Sequence, residues 1–209
     1  ALQPELPQRT PRALLKDYAA KARRFAVAVG SLPLSRRFSI HEPQRGGEYD
    51  AIVVGSDEVW NFHHPWFGSK AIFFGDGLRA EKLVSYAASF GNHSAWHGIH
   101  PQWARKLDRF SSISVRDENS FHLIRNATGR EPAVVLDPCL QFPEIAQIQP
   151  DTSASNYAVV YGHGFPAWLK RRIREWAQQR SLHLLSIGYL NDWADEQRIS
   201  AGPIEFAKL

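Results

Sequence analysis

From Pro11 to Val29 the apolar residues Leu14, Tyr18, Ala22, Phe25 and Val29 recur every three or four positions. That spacing predicts a helix with one apolar face, ended by Gly30, with Lys16, Arg23 and Arg24 off the stripe. Residues 31–48 hold Pro33, Pro43 and the pair Gly46-Gly47 and read as a surface connector. A repeated grammar follows, in which short β-branched or apolar runs end in small or polar residues. Asp50 to Val54 ends at Gly55-Ser56-Asp57, and Leu83 to Ala88 at Ser89-Phe90-Gly91. Ile113 to Val115 ends at Arg116-Asp117-Glu118, and Ala133 to Leu136 at Asp137-Pro138. Helical patterns lie between them at Trp103–Phe110 and Glu118–Asn126. Short apolar strands alternating with helices predict a buried parallel sheet, with ligands at the carboxyl ends of its strands.

Residues 141–156 are richer in Pro, Gln, Asp and Ser and are expected to be a linker. A second unit then opens with a strand at Tyr157–Tyr161, a Gly162-His163-Gly164 turn, a helix from Pro166 to Arg180 and a strand from Leu182 to Ile187. The expected architecture is α/β: a Rossmann-like parallel sheet flanked by helices over residues 1–140, and the beginning of a second Rossmann-like domain over 157–209. The 209 residues contain no Met, and a helix start at Gly202-Pro203 falls just before Leu209, which together lead us to expect a segment of a longer chain.

Composition narrows the classes. No apolar run approaches the ~18 residues of a membrane span, so no transmembrane segment is expected. A single Cys139 excludes an internal disulfide framework, and its apolar setting suggests a buried, inert thiol. A net charge of +4 spread over many loops reads as a solvated surface, so no nucleic-acid partner is expected.

The sharpest candidate chemistry lies in Val53 to Asn61. Gly55 permits a tight turn off the strand. Ser56 and the following N–H groups suit an anion at a helix start. Asp57 would project into the crevice as an acid, a base or a hydroxyl ligand, or would merely cap a helix. Trp60 offers a flat face for stacking on a sugar or base. Arg116 can fork onto a carboxylate or phosphate, or pair with Asp117 or Glu118. Asp137 is a rim carboxylate or a turn cap. His163, between two glycines, marks a candidate phosphate or nucleotide loop. His93, His97 and His100 have zinc-like spacing, but Gly98 and Pro101 argue against one continuous helix, and no metal site is expected. His63 and His64 read as solvent-facing loop residues close to Asp57.

Gly55-Ser56-Asp57-Glu58-Val59-Trp60-Asn61 resembles the signature of the polysaccharide pyruvyl transferase family. Lys82 to Gly91, Ile113 to Glu118 and Leu136 to Leu140 resemble three further family elements, in order. The resemblance implies two Rossmann-like domains similar to inverting glycosyltransferases. It implies transfer of pyruvate from phosphoenolpyruvate to a sugar or glycan acceptor as a cyclic ketal, without a cofactor, in surface or exopolysaccharide synthesis. It also brings Asn61 and Ser89, which stand in these motifs, into the expected binding set with Gly55, Ser56, Trp60, Arg116, Asp137 and His163, around a catalytic Asp57. A cytoplasmic location is implied, with room for peripheral association at the inner membrane face. Two family elements have no counterpart here, the Gly- and Asn-rich first loop and the later His-Gly element. They leave open a second reading, a sugar- or nucleotide-sugar-binding module or an inactive truncated relative.

Overall fold

A computed structural model describes residues 11–142 and 156–209, so most of the expected 141–156 linker lies outside the described residues. The chain divides into two compact units, which among the described residues are 35–142 and 11–34 with 156–209.

In the unit of residues 35–142 the strands are β1 (Glu48–Val54), β2 (Arg79–Ser85), β3 (Ser114–Val115) and β4 (Ala133–Val134). β1 pairs β2 in parallel, with Glu48 opposite Arg79 and Val54 opposite Ser85. β3 pairs β4 in parallel, and two parallel bridges, Val84 to Ser112 and Ala88 to Val115, join β2 to β3. Polar side chains help bind this seam. Ser85 Oγ donates to Ser114 O at 3.0 Å and Ser114 Oγ to Ser85 O at 2.9 Å, which explains why both serines tolerate burial. The helices are α2 (Pro101–Leu107), α3 (Glu118–Thr128) and α4 (Pro138–Gln141). Between β1 and β2 the chain makes turns and a 3-10 turn at Ala71–Phe74, with no α-helix. Val54, Leu83 and Val115 of the strands pack with Leu107, Leu123 and Ile124 of the helices and with Trp60, Phe74, Phe90 and Phe110 of the connections.

The sheet was expected to be buried on both faces, as parallel sheets usually are. It is covered on one. Strand alternation turns Ile52 and Val54 toward the core, whereas Val53, Val134 and Leu136 stay exposed.

In the other unit β5 (Tyr157–Tyr161), β6 (His183–Ile187) and β7 (Glu196–Arg198) form a parallel sheet in the order β5-β6-β7. α5 (Ala167–Gln179) connects the first two, and α6 (Pro203–Ala207) follows the third. Its core is Val160, Ala177, Leu184 and Trp193. Trp176 of α5 is exposed, with the Arg180 guanidinium 5.1 Å above its ring.

The helical pattern at the start of the chain is α1 (Leu15–Gly30). It belongs to this second unit rather than to the sheet that follows it in sequence. None of its residues is buried, so its apolar stripe is not the seam expected from periodicity. Polar anchors attach it instead. Lys21 Nζ donates to Gly188 O at 2.7 Å, and Arg24 reaches Ser200 O at 2.8 Å and Glu205 at 2.9 Å.

Among the described residues no helix is long and apolar enough to cross a membrane.

Candidate functional site at the strand ends

Five of the expected site residues, Gly55, Ser56, Asp57, Arg116 and Asp137, meet at the carboxyl ends of the 35–142 sheet. Gly55 leaves β1 with φ +130°, and a Cβ there would stand 2.2 Å from Tyr86 O. Only glycine lets the two strand ends close to this distance. The Gly55–Ser56 peptide is cis. Arg116, directly after β3, runs back across the strand ends. Its Nη1 donates to Ser56 O and lies 3.3 Å from Asp137 Oδ2, while Nη2 is 3.8 Å from Asp57 Oδ1. The Arg116 side chain is three-quarters buried and Asp57 is open to solvent. The result is one cation between two carboxylates at the end of the sheet where ligands of α/β folds sit.

Each carboxylate also has a local structural task. Asp137 Oδ1 accepts from Cys139 N at 3.2 Å and caps α4, while its Oδ2 stands beside Arg116. Asp57 Oδ1 accepts from Glu58 N at 2.7 Å. It does not cap a helix, because residues 56–60 form bends and a turn. For the same reason Ser56 does not sit at a helix N-terminus, and the part of it engaged by Arg116 is its carbonyl. The expected pairing of Arg116 with Asp117 or Glu118 is replaced by Asp57 and Asp137. Asp117 is occupied elsewhere, and exposed Glu118 lies 3.7 Å from His122.

Asp117 is the residue the sequence reading missed. Its carboxylate accepts from Ser89 Oγ at 2.7 Å, Ser120 N at 2.7 Å and Ser120 Oγ at 3.0 Å. Ser89 Oγ in turn accepts from Gly91 N, and Ser120 Oγ from Phe90 N, both at 2.9 Å. This network ties the end of β2 to the start of α3 and fixes the backbone from which Arg116 projects. The Asp117-x-x-Ser120 spacing is a cap signature that could have revealed it.

Three expected contacts change character. Trp60 is fully buried. Its ring packs 5.4 Å from Phe90, 5.8 Å from Phe110 and 6.0 Å from Phe74, and Nε1 donates to Phe73 O at 2.8 Å. It offers no face to a ligand; the aromatic residues gathered after β1 and β2 draw it into the core. Asn61 is buried too, donating to Glu58 Oε2 at 2.8 Å and Asn92 Oδ1 at 3.0 Å. Ser89, also buried, is spent on Asp117. These residues shape the rim from beneath. Cys139, expected to be buried, is exposed at the start of α4.

The histidines regroup. His100 Nδ1 accepts from Gln102 N at 3.3 Å and caps α2. His63 takes its place, with ring centroids 5.8 Å from His93, which lies 5.7 Å from His97. Among the described residues no three His, Cys, Asp or Glu side chains stand where they could hold a metal ion.

His163 lies in the other unit, at the end of β5. Its ring is 5.0 Å from Tyr189, which is 5.6 Å from Tyr161. The Lys21 ammonium sits 4.5 Å above Tyr189. Burial lowers the Lys21 pKa, and burial followed by the neighbouring Tyr161 raises that of Tyr189. Asn191 Nδ2 donates to Gly162 O at 3.0 Å and holds the glycine turn.

Searches of curated proteins and of solved structures gave no match. The family model for polysaccharide pyruvyl transferase matches residues 3–208. That span takes in the Gly55–Asn61 turn, the serine- and glycine-rich end of β2, Arg116 and the Asp137 cap, and on it the chain belongs to the polysaccharide pyruvyl transferase family.

Proposed function

We propose that this chain transfers pyruvate from phosphoenolpyruvate to two hydroxyls of a sugar, forming a cyclic ketal on a surface or exported glycan, in the cytoplasm at the inner face of the membrane. The observation that carries the reading is the Asp57–Arg116–Asp137 rim at the strand ends. In the reaction one sugar hydroxyl adds to C2 of the enol phosphate while the methylene carbon gains a proton. The second hydroxyl then replaces phosphate at C2, and its proton leaves with the phosphate. Asp57, exposed beside the cation, is suited to take the first hydroxyl proton and deliver one to the methylene. Arg116 Nη1 is committed to Ser56 and Asp137, whereas Nη2, 3.8 Å from Asp57 and beyond hydrogen-bond distance, faces the rim where the donor's carboxylate or phosphate would sit. Asp137 would hold that fork in place. His163 is proposed as a ligand contact of the other unit's own strand ends.

The test is ketal formation by Asp57→Asn, followed by release of inorganic phosphate. The side chain is 62% exposed, so the fold should survive. Loss of acid–base help is expected to cut turnover by about 100-fold or more. Turnover equal to wild type would remove Asp57 from the mechanism.

A further inference from the structure

The loops that follow β1 and β2 carry the same short pattern. His63-His64-Pro65-Trp66 and His93-Ser94-Ala95-Trp96 each place a tryptophan three residues after a histidine. Both tryptophans are held out in solvent, Trp66 at 71% and Trp96 at 96% exposure. Both loops start from the strand ends that also carry Asp57. Imidazole rings in tilted or edge-on contact bridge them: His64 lies 5.8 Å from Trp66, His63 lies 5.8 Å from His93, and His93 lies 5.7 Å from His97, beside Trp96.

The loops are fixed in place. His64 Nδ1 accepts from both Trp66 N and Phe67 N at 3.2 Å. Asn119 of α3 grips the second loop from both sides, accepting from Ala95 N at 2.8 Å and donating to His93 O at 2.9 Å. Ser94 caps the turn that carries Trp96. Beneath them Phe62 stacks on Phe74 and meets His93 edge-on. Two large aromatic side chains are thus presented to solvent on hydrogen-bonded backbone, an arrangement that lowers the ordering cost of binding.

The chemistry of the strip selects its ligand. From Asn61 to Ser69 and from Ser89 to Ala104 there is no Lys, Arg, Asp or Glu. A nucleic-acid strand would call for cations along this path. What remains is flat indole faces alternating with imidazole nitrogens. That combination fits a ligand with an apolar C–H face and a hydroxyl edge, repeated along its length. We infer that the His63–Trp66 and His93–Trp96 loops form a binding strip for an uncharged glycan chain, stacking sugar rings on Trp66 and Trp96 while His63 and His97 meet its hydroxyls. The inference rests on the pyruvyl transferase reading for its substrate class. It deepens that reading by making the acceptor an oligosaccharide segment rather than a single sugar.

The test reads binding, so that it is separate from turnover. Cellotetraose, β-1,4-galactotetraose and maltotetraose are titrated against the protein by saturation-transfer NMR and tryptophan fluorescence, with glucose as the single-ring control. At least one tetrasaccharide should bind with a dissociation constant of about 1 mM or tighter, and more tightly than glucose. Trp66→Ala and Trp96→Ala should each weaken it by about 10-fold, the loss expected for one stacked ring. Trp176→Ala, which removes an exposed tryptophan of the other unit, should bind as wild type does. The titrations are run without phosphoenolpyruvate, so the strip stands or falls on binding alone, whereas the catalytic assignment stands or falls on ketal formation by Asp57→Asn. No binding by any of the three tetrasaccharides up to about 10 mM, or equal binding by wild type and both loop variants, overturns the inference.

Discussion

Replacing Trp60 separates two roles that the sequence motif alone leaves mixed. The side chain is fully buried, touches three aromatic rings and donates one hydrogen bond to Phe73 O. Burying a tryptophan removes ~150–250 Å² from water, and at ~25 cal/mol per Å² that is an upper value of ~4–6 kcal/mol. Measured truncations of large aromatic residues fall at ~3–5 kcal/mol. The lost hydrogen bond leaves the Phe73 carbonyl unpaired and adds ~1 kcal/mol. Trp60→Ala should therefore cost ~4–6 kcal/mol, at least a quarter of the ~5–15 kcal/mol that holds an average domain together. Trp60→Phe keeps the ring contacts but not the N–H, and should cost ~1–3 kcal/mol. The assay is urea unfolding followed by far-UV circular dichroism, in which the two units can unfold separately. The transition belonging to residues 35–142 should fall by more than ~1 M urea in Trp60→Ala, given ~1–3 kcal/mol per molar for small domains. An unchanged transition together with lost glycan binding would show that Trp60 contacts ligand and that its burial has been misread.

Asp117→Ala strips acceptors from Ser89, from Ser120 N and from Ser120 Oγ, and should destabilise the unit by ~2–4 kcal/mol; if it stays folded at low temperature, its Michaelis constant for phosphoenolpyruvate should rise as Arg116 loses its support, and an unaltered Michaelis constant would contradict that role. Trp193→Phe should change stability by less than ~1 kcal/mol, because among the described residues the buried Nε1 of Trp193 has no partner to lose, whereas a loss above ~2 kcal/mol would mean that this N–H is bonded. Bonds from its own backbone N–H and that of Gly202, with Arg24 close by, hold the Glu205 carboxyl below its ordinary 4.5 despite some desolvation. Its contribution to anchoring α1 and α6 should be complete above pH 4.5 and fade as pH falls through the lowered value; hydrogen exchange in α6 should rise over that range in wild type but not in Glu205→Gln, and parallel profiles would refute the linkage.

Much of the fold was legible because each signal was local. The strand at Tyr157–Tyr161 was read to the residue, since β-branched and aromatic residues end there at a glycine. The turn at Gly55 and the rim positions of Asp57, Arg116 and Asp137 followed from small and charged residues placed where strands stop. What escaped depends on partners far along the chain. Trp60 looks like a ligand platform until Phe74, Phe90 and Phe110 arrive to bury it. The three-histidine spacing pointed to His100, but folding supplies His63 from a loop 30 residues upstream of His93. The α1 stripe has the right period for burial, yet its anchors are Lys21 and Arg24, on which periodicity is silent. Polar networks such as Ser89–Asp117–Ser120 carry no hydrophobic pattern at all.

Helix α3 holds two things at once. Its first turn caps on Asp117, next to Arg116, and two residues on Asn119 clamps the Trp96 loop. A ligand that steadies either of these contacts lowers the ordering cost left for the other. Glycan on the loop and anion on the arginine would then favour each other's binding by the same factor, although they need never touch. Since that reciprocity would run through the seating of one short helix, a change on the far side of α3, such as at buried Leu123 or Ile124, could weaken the cooperation between two substrates while sparing the affinity for each alone.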